Sequence, residues 1–194
     1  MDEKVTIKSS GHFIFLTALL LLVAGFTWAE NASEAQWLQL KELQGISSGV
    51  SGSSTATYIF FDPNCPYSAK LNKSGLRLPG VDLRQAMWIP VAYIRPSSEG
   101  KAAAFLRSGK YEAIIKNYQS FNYATYEGSI AGVTPTAEES LALDKSRVLW
   151  SLMSSSPATP MIIYKEKSGA IKVQLGLPNT QIDGLEQSMG VYNQ

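Results

Sequence analysis

Apolar and polar positions divide the chain into segments of different period. Phe13 to Trp28 is almost unbroken apolar sequence, preceded by Lys4 and Lys8 and closed by the small-residue exit Thr27-Trp28-Ala29. The run is short beside the ~20 residues a bilayer span needs. It reads as an export signal at residues 1–29, cleaved after Ala29, with an uncleaved N-terminal anchor as the alternative. From Ser33 to Gln44, Trp37, Leu38, Leu40 and Leu43 recur among Glu34, Gln36, Lys41 and Glu42. That spacing predicts a short amphipathic helix with Ser33 as its N-cap. The Ser- and Gly-rich stretch Ile46 to Ser54 reads as a flexible link, so residues 30–54 are a helix and a connection ahead of a domain at 55–194.

Within that domain the period changes. Thr57 to Phe61 is a continuous β-branched and aromatic run, the pattern of a strand buried on both faces. Cys65 to Leu78 is helical in pattern, with Leu71 and Leu76 apolar and Gly75 loosening it. Gln85 to Ile94 is a second apolar run whose Pro90 marks an edge, a bulge or a strand end. Helices are predicted over Ser98–Arg107, with a serine cap, and over Lys110–Tyr118 beyond Gly109. A third runs from the Thr136 cap to about Met153 on Leu141, Val148, Leu149 and Leu152. Residues 119–135, aromatic and glycine-containing, show no clear period. Met161–Lys165 and Ala170–Leu175 flank Lys167-Ser168-Gly169 as a hairpin, and a last helix is expected over Asn179–Met189. A βαβ unit and a ββα unit joined by a helical insertion at about 98–153 describe an α/β domain, a central mixed sheet flanked by helices.

Composition narrows the chemistry. The 194 residues carry a formal net charge of +1 with no basic patch, which argues against a nucleic-acid partner. The one histidine, His12, lies in the signal, so the remaining chain offers no Ser/His or Cys/His pair and no Cys/His zinc set. No metal or other cofactor is implied. Trp37, Trp88 and Trp150 read as core residues and Glu138-Glu139 as a solvated helix face. The aromatics from Tyr118 to Tyr126 read either as satellite core or as a client surface.

One cysteine remains, in Asp62-Pro63-Asn64-Cys65-Pro66-Tyr67-Ser68, between a strand and a helix. A lone thiol sent to an oxidising compartment is either buried or present to react with another molecule. At a helix start it meets unpaired backbone N–H groups and the positive end of the helix dipole, which favour thiolate. Such positions lower a cysteine pKa by units. Pro66 suits the first helical turn, since its missing N–H would have no partner there. The expectation is an exposed, reactive Cys65.

The strand followed by Asp-Pro-Asn-Cys-Pro-Tyr-Ser resembles the active-site entry of the DsbC/DsbG family of periplasmic disulfide isomerases, which carry Cys-Pro-Tyr-Cys. Further stretches agree in order: Trp88-Ile89-Pro90-Val91 with Ile94-Arg95-Pro96 and Gly100-Lys101-Ala102-Ala103-Ala104, then Ala158-Thr159-Pro160, then Gly176-Leu177-Pro178. The resemblance implies a thioredoxin-like fold and a periplasmic location. It makes Cys65 the nucleophile and Thr159-Pro160 a cis-proline loop beside it, with Pro66, Tyr67, Thr159 and Pro160 touching substrate. Its implied partners are proteins bearing thiols or disulfides. Two departures qualify it. Ser68 stands where the family has its resolving cysteine, so a dithiol cycle is closed and Cys65 would work by a monothiol route. The mixed disulfide would then be resolved by the substrate's own thiol, a small-molecule thiol or a membrane reductase, and the Ser68 hydroxyl could bond the thiolate. Only about 25 residues separate Glu30 from the first long strand, which leaves no room for the family's N-terminal dimerisation domain. The alternative is a redox-degenerate thioredoxin fold kept for binding, as a chaperone-like component of an envelope assembly such as a secretion or conjugation apparatus.

Overall fold

The structure, a computed structural model, describes residues 30–49, 57–74 and 85–177. The signal, residues 50–54 of the link, residues 75–78 of the helix predicted to Leu78 and the helix expected over Asn179–Met189 lie outside the described residues. The described strands, β1 (Glu30–Asn31), β2 (Ile46–Ser47), β3 (Thr57–Phe61), β4 (Ala86–Pro90), β5 (Met161–Lys165) and β6 (Ile171–Leu175), form one mixed sheet in the order β1-β6-β5-β3-β4-β2.

Strand β3 (Thr57–Phe61) sits inside the sheet with all five residues buried, as its unbroken apolar run predicts. It pairs parallel with β4 (Ala86–Pro90), Thr57 opposite Ala86 through Phe61 opposite Pro90, and antiparallel with β5 (Met161–Lys165). β5 turns back into β6 (Ile171–Leu175), so the hairpin is present. Pro90 closes β4 and is a strand end. Among the described residues, the strand on its other side, β2, covers Met87 and Trp88 alone, so the N–H that Pro90 lacks breaks no ladder there.

Two short strands correct the reading of the N-terminal segment. β1 (Glu30–Asn31) joins β6, and β2 (Ile46–Ser47) joins β4. Ile46 is fully buried and Ser48 Oγ donates to the Ala86 carbonyl at 3.0 Å, so the start of the link is part of the sheet. Two residues are too few to show a period of 2, which is why the segment reads as flexible. Gly45 is required there, because a Cβ would lie 2.9 Å from the Met87 side chain and the Trp88 carbonyl.

Helices α1 (Glu34–Lys41) and α5 (Ala137–Leu152) start where their capping residues place them. α1 (Glu34–Lys41) opens on a reciprocal box in which Ser33 Oγ accepts from the Gln36 amide and Gln36 Oε1 accepts from the Ser33 amide. α2 (Pro66–Ser74) follows β3. α3 (Pro96–Ser108) begins two residues before the expected cap, with Pro96 in its first turn. Ser98 is therefore inside the helix, and its hydroxyl is used elsewhere. Gly109, at φ 58°, ends α3 in the left-handed conformation that favours glycine, and α4 (Tyr111–Gln119) follows. α5 (Ala137–Leu152) opens on a Thr136–Glu139 box. Glu139 is largely buried and paired with Arg107 at 2.7 Å, which corrects its reading as a solvated face residue.

Alternation along β3 sends side chains to two cores. Tyr58 and Phe60 pack with Trp37 and Leu40 of α1 and with Leu149 and Trp150 of α5. Ile59 and Phe61 pack with Ala69 and Leu71 of α2, Ala102 and Phe105 of α3, and Ile114 and Tyr118 of α4. Trp37, Trp88 and Trp150 are all buried. Of the aromatic cluster, Tyr118 and Phe121 are core and Tyr126 is exposed. The two layers bring the C-terminal end of β3 and the start of α2 against the loop that leads into β5.

Candidate active site

At the end of β3 the chain turns through Asp62-Pro63-Asn64, closed by a Cys65 N–H to Asp62 carbonyl bond of 3.0 Å and an Asn64 N–H to Asp62 Oδ1 bond of 2.8 Å. Cys65 stands directly before α2, its carbonyl accepting from the Ala69 amide at 3.0 Å. Its sulfur does what an N-cap oxygen does, accepting the Ser68 amide at 3.4 Å. On its other side the thiol donates to the Thr159 carbonyl at 3.2 Å. The Thr159–Pro160 peptide bond is cis. Residues 94 positions apart thus meet at one sulfur.

The environment corrects the expectation of an exposed, low-pKa cysteine. Cys65 is only 2% exposed. Burial pushes the thiol pKa up, against downward pulls from the side chains of Ser68 and Thr159 and the amides of Ser68 and Tyr67. The helix start supplies the favourable amides, but the opposing loop excludes water from the sulfur, and desolvation outweighs them. The Ser68 hydroxyl, fully buried beside the sulfur, makes no hydrogen bond in the resting thiol; the bond to sulfur is made by the Ser68 amide. Cys65, Ser68 and Thr159 are therefore together, with Pro160 buried behind Thr159. Pro66 is half-buried. Tyr67 is exposed, with the Lys70 ammonium 5.5 Å from its ring centre.

Sequence reasoning missed what holds this turn. Asp62 is fully buried, and its carboxylate accepts four hydrogen bonds, from the amides of Asn64, Tyr93 and Ile94 and from Ser98 Oγ. Burial still raises its pKa against those four donors. Asn64 Nδ2 donates to Ser97 and Ser98, both at 3.0 Å, while its Oδ1 accepts from Lys101 Nζ and the Gly128 amide, both at 3.1 Å. Lys101, also buried, donates to the Gly128 carbonyl at 2.7 Å and lies 3.8 Å from Glu127. Asn117 Nδ2 bonds the Pro63 carbonyl and the Tyr118 phenol bonds that of Asp62. A buried anion and a buried cation are thus joined through Asn64 and Ser98, which satisfies both without direct contact. The pattern that marks Ser98 as a cap and places Lys101 in the same helix carries no sign of partners 27 to 37 positions away.

A second set of groups grips the other side of the thiol. Tyr93, in the connection from β4 to α3, places its phenol oxygen 2.9 Å from Thr159 Oγ1. Its ring lies against Trp150 with centres 4.6 Å apart, and Trp150 Nε1 donates to the Ala158 carbonyl at 3.1 Å.

No protein-family model matches the chain. Among curated proteins it is 27% identical over 160 residues to the thiol:disulfide interchange protein DsbG of Pseudomonas aeruginosa, covering 81% of this chain and 60% of that one. To the DsbG of Escherichia coli K12 it is 25% identical over 150 residues, covering 76% of this chain and 58% of the relative. The chain thus spans about three fifths of the length of these relatives. Among solved structures, a periplasmic thioredoxin-like protein from Salmonella enterica serovar Typhimurium superposes with a TM-score of 0.52 at 13% identity, over 82% of this chain and 98% of that one. That likeness concerns the fold. The chain has a thioredoxin-like fold and resembles the DsbC/DsbG group of thiol:disulfide interchange proteins over most of its length.

Proposed function

We propose that the protein, exported to the periplasm, exchanges disulfides of client proteins through Cys65 alone. The observation that carries the reading is the seat of the sulfur, between the first turn of α2 and the Thr159–Pro160 loop. Ionisation removes the S–H that donates to the Thr159 carbonyl, so that contact breaks. The Ser68 amide remains on the sulfur, and the unpartnered Ser68 hydroxyl becomes a second donor.

The thiolate attacks one sulfur of a client disulfide, forming a Cys65–client disulfide and releasing the client's other sulfur as thiolate. Because position 68 is serine, no internal disulfide forms. A client thiolate, or an outside thiol, attacks the client sulfur of the mixed disulfide, makes a new disulfide with it and returns Cys65 as thiolate. Where the attacker is the client itself, disulfides are rearranged with no net oxidation or reduction. On this reading Tyr67 and Pro160 border the bound client.

The test is capture. With no second cysteine to release them, clients should persist as Cys65-dependent adducts on non-reducing gels of periplasmic extracts, and should vanish in Cys65→Ala. An empty lane for the wild type would overturn the exchange reading in favour of a fold kept for binding. Ser68→Cys should add dithiol insulin reduction.

A further inference from the structure

Thr159 Oγ1 carries one proton and has two neighbours that could take it. One is the Tyr93 phenol, 2.9 Å away, where either oxygen could be the donor. The other is Cys65 Sγ, which already contacts the same residue's carbonyl at 3.2 Å. If Thr159 donates to Tyr93, its proton is spent. If Tyr93 donates to Thr159, that proton is free. We infer that Tyr93 is a positioning residue for the thiol: by donating to Thr159 Oγ1, it leaves the Thr159 proton free to turn to Cys65 Sγ once the sulfur is charged. The inference rests on the exchange reading and adds to it the group that sets the direction of the hydroxyl chain.

The geometry around Tyr93 suits a fixed donor. Its amide is held by Asp62 Oδ2 at 2.9 Å and its ring by Trp150, so the phenol has little freedom to leave Thr159. The titratable groups around the pair are Asp62 on the turn, Cys65 at the start of α2 and Tyr118 on α4. Burial raises the Tyr93 pKa, the hydrogen bond to Thr159 draws it down, and negative charge on Cys65 or Asp62 raises it. The Thr159 hydroxyl is among the groups that draw the thiol pKa down. Tyr93 touches neither the sulfur nor a client disulfide in this role. It acts through Thr159.

Because the chain has a single cysteine, alkylation with iodoacetamide reads Cys65 alone. The full chain is alkylated across a range of pH as wild type, Tyr93→Phe, Thr159→Val and the double variant. Phe retains the ring that lies on Trp150, so the fold is preserved. Tyr93→Phe should move the midpoint of the rate profile upward by about half a unit to one unit, and slow alkylation at neutral pH about three- to tenfold, with the high-pH plateau unchanged. Thr159→Val should move it at least as far, and adding Tyr93→Phe to Thr159→Val should change nothing more. An unmoved or lowered midpoint in Tyr93→Phe, or additive shifts in the double variant, overturns the role of Tyr93 and leaves exchange standing. A wild-type Cys65 that alkylates only when the protein is unfolded overturns the exchange reading and this inference with it.

Discussion

Two effects of opposite sign act on the sulfur of Cys65, and the larger is the one that sequence cannot display. The amides at the start of α2 are local and follow from Cys65-Pro66-Tyr67-Ser68. The loss of water comes from tertiary burial, which brings in contacts as far along the chain as Thr159, and it dominates. The consequence is a pH dependence of stability. A thiol whose folded pKa exceeds its unfolded value holds its proton longer when folded, so the unfolded chain ionises first as pH rises. The neutral-thiol contribution is complete below about pH 8.5, the unfolded value, and is lost progressively above it as pH climbs toward the folded pKa. Urea midpoints of the wild type should therefore fall more steeply than those of Cys65→Ala between about pH 8 and pH 10. Parallel slopes would mean that the thiol is as well solvated in the folded protein as in the unfolded one. The replacement of a cysteine by Ser68 is legible at this scale, because it needs only a motif. The burial of Ser68 and its unpartnered hydroxyl are not, because they depend on what α4 and the turn place around them.

Helix caps are the elements the sequence announces best, since cap and partner lie three residues apart. Ser33 with Gln36, and Thr136 with Glu139, form both halves of their boxes. The Thr136 box shows the limit of that legibility, because Glu139 does two things. It accepts from the Thr136 amide at 2.8 Å and takes Arg107 of α3 in a two-point bond at 2.7 and 2.9 Å. Arg107 first, and the Thr136 amide next, hold its pKa down at about 2. A carboxylate with a depressed folded pKa stabilises fully above its unfolded value and loses that stabilisation as pH falls through the folded one. Glu139→Gln should accordingly lower the Tm at neutral pH and flatten its decline between about pH 4.5 and pH 2. A decline as steep as that of the wild type would remove Glu139 from the acid transition. The same scale contains the two misread elements. Ser98 has the composition of a cap but lies inside α3, since Pro96 opens the helix and Asp62 claims the hydroxyl. β2 hides in a Ser/Gly segment because its identity comes from β4, not from its own two residues.

In the whole molecule, the helices between β4 and β5 supply side chains that bond to the turn carrying Cys65. The longer strands β3, β4, β5 and β6 were legible because each carries its burial in its own residues. The support was not, because it joins residues of unlike local character: Asp62 and Asn64 on the turn, Ser98 and Lys101 on α3, Asn117 and Tyr118 on α4, and Gly128 in the loop after it. Gly128 is the position where this arrangement is tightest. A Cβ there would overlap the carboxamide of Asn117, which holds the Pro63 carbonyl at 2.9 Å and accepts the Ile130 amide at 3.0 Å. Gly128→Ala should expel that carboxamide and leave buried backbone groups unsatisfied at a cost of about 1–3 kcal/mol each. Lys101→Met removes the cation bound to Asn64 and Gly128, and should cost about 1–3 kcal/mol for each acceptor, Asn64 Oδ1 and the Gly128 carbonyl, left short of a donor. Both losses are measurable by urea unfolding. If the insertion supports the active-site turn, both variants should also loosen the covering of Cys65, so that alkylation of the folded protein accelerates at high pH, where ionisation no longer limits the rate. Stability lost without that acceleration would make the network a brace for the insertion alone, with the turn held by β3 and α2.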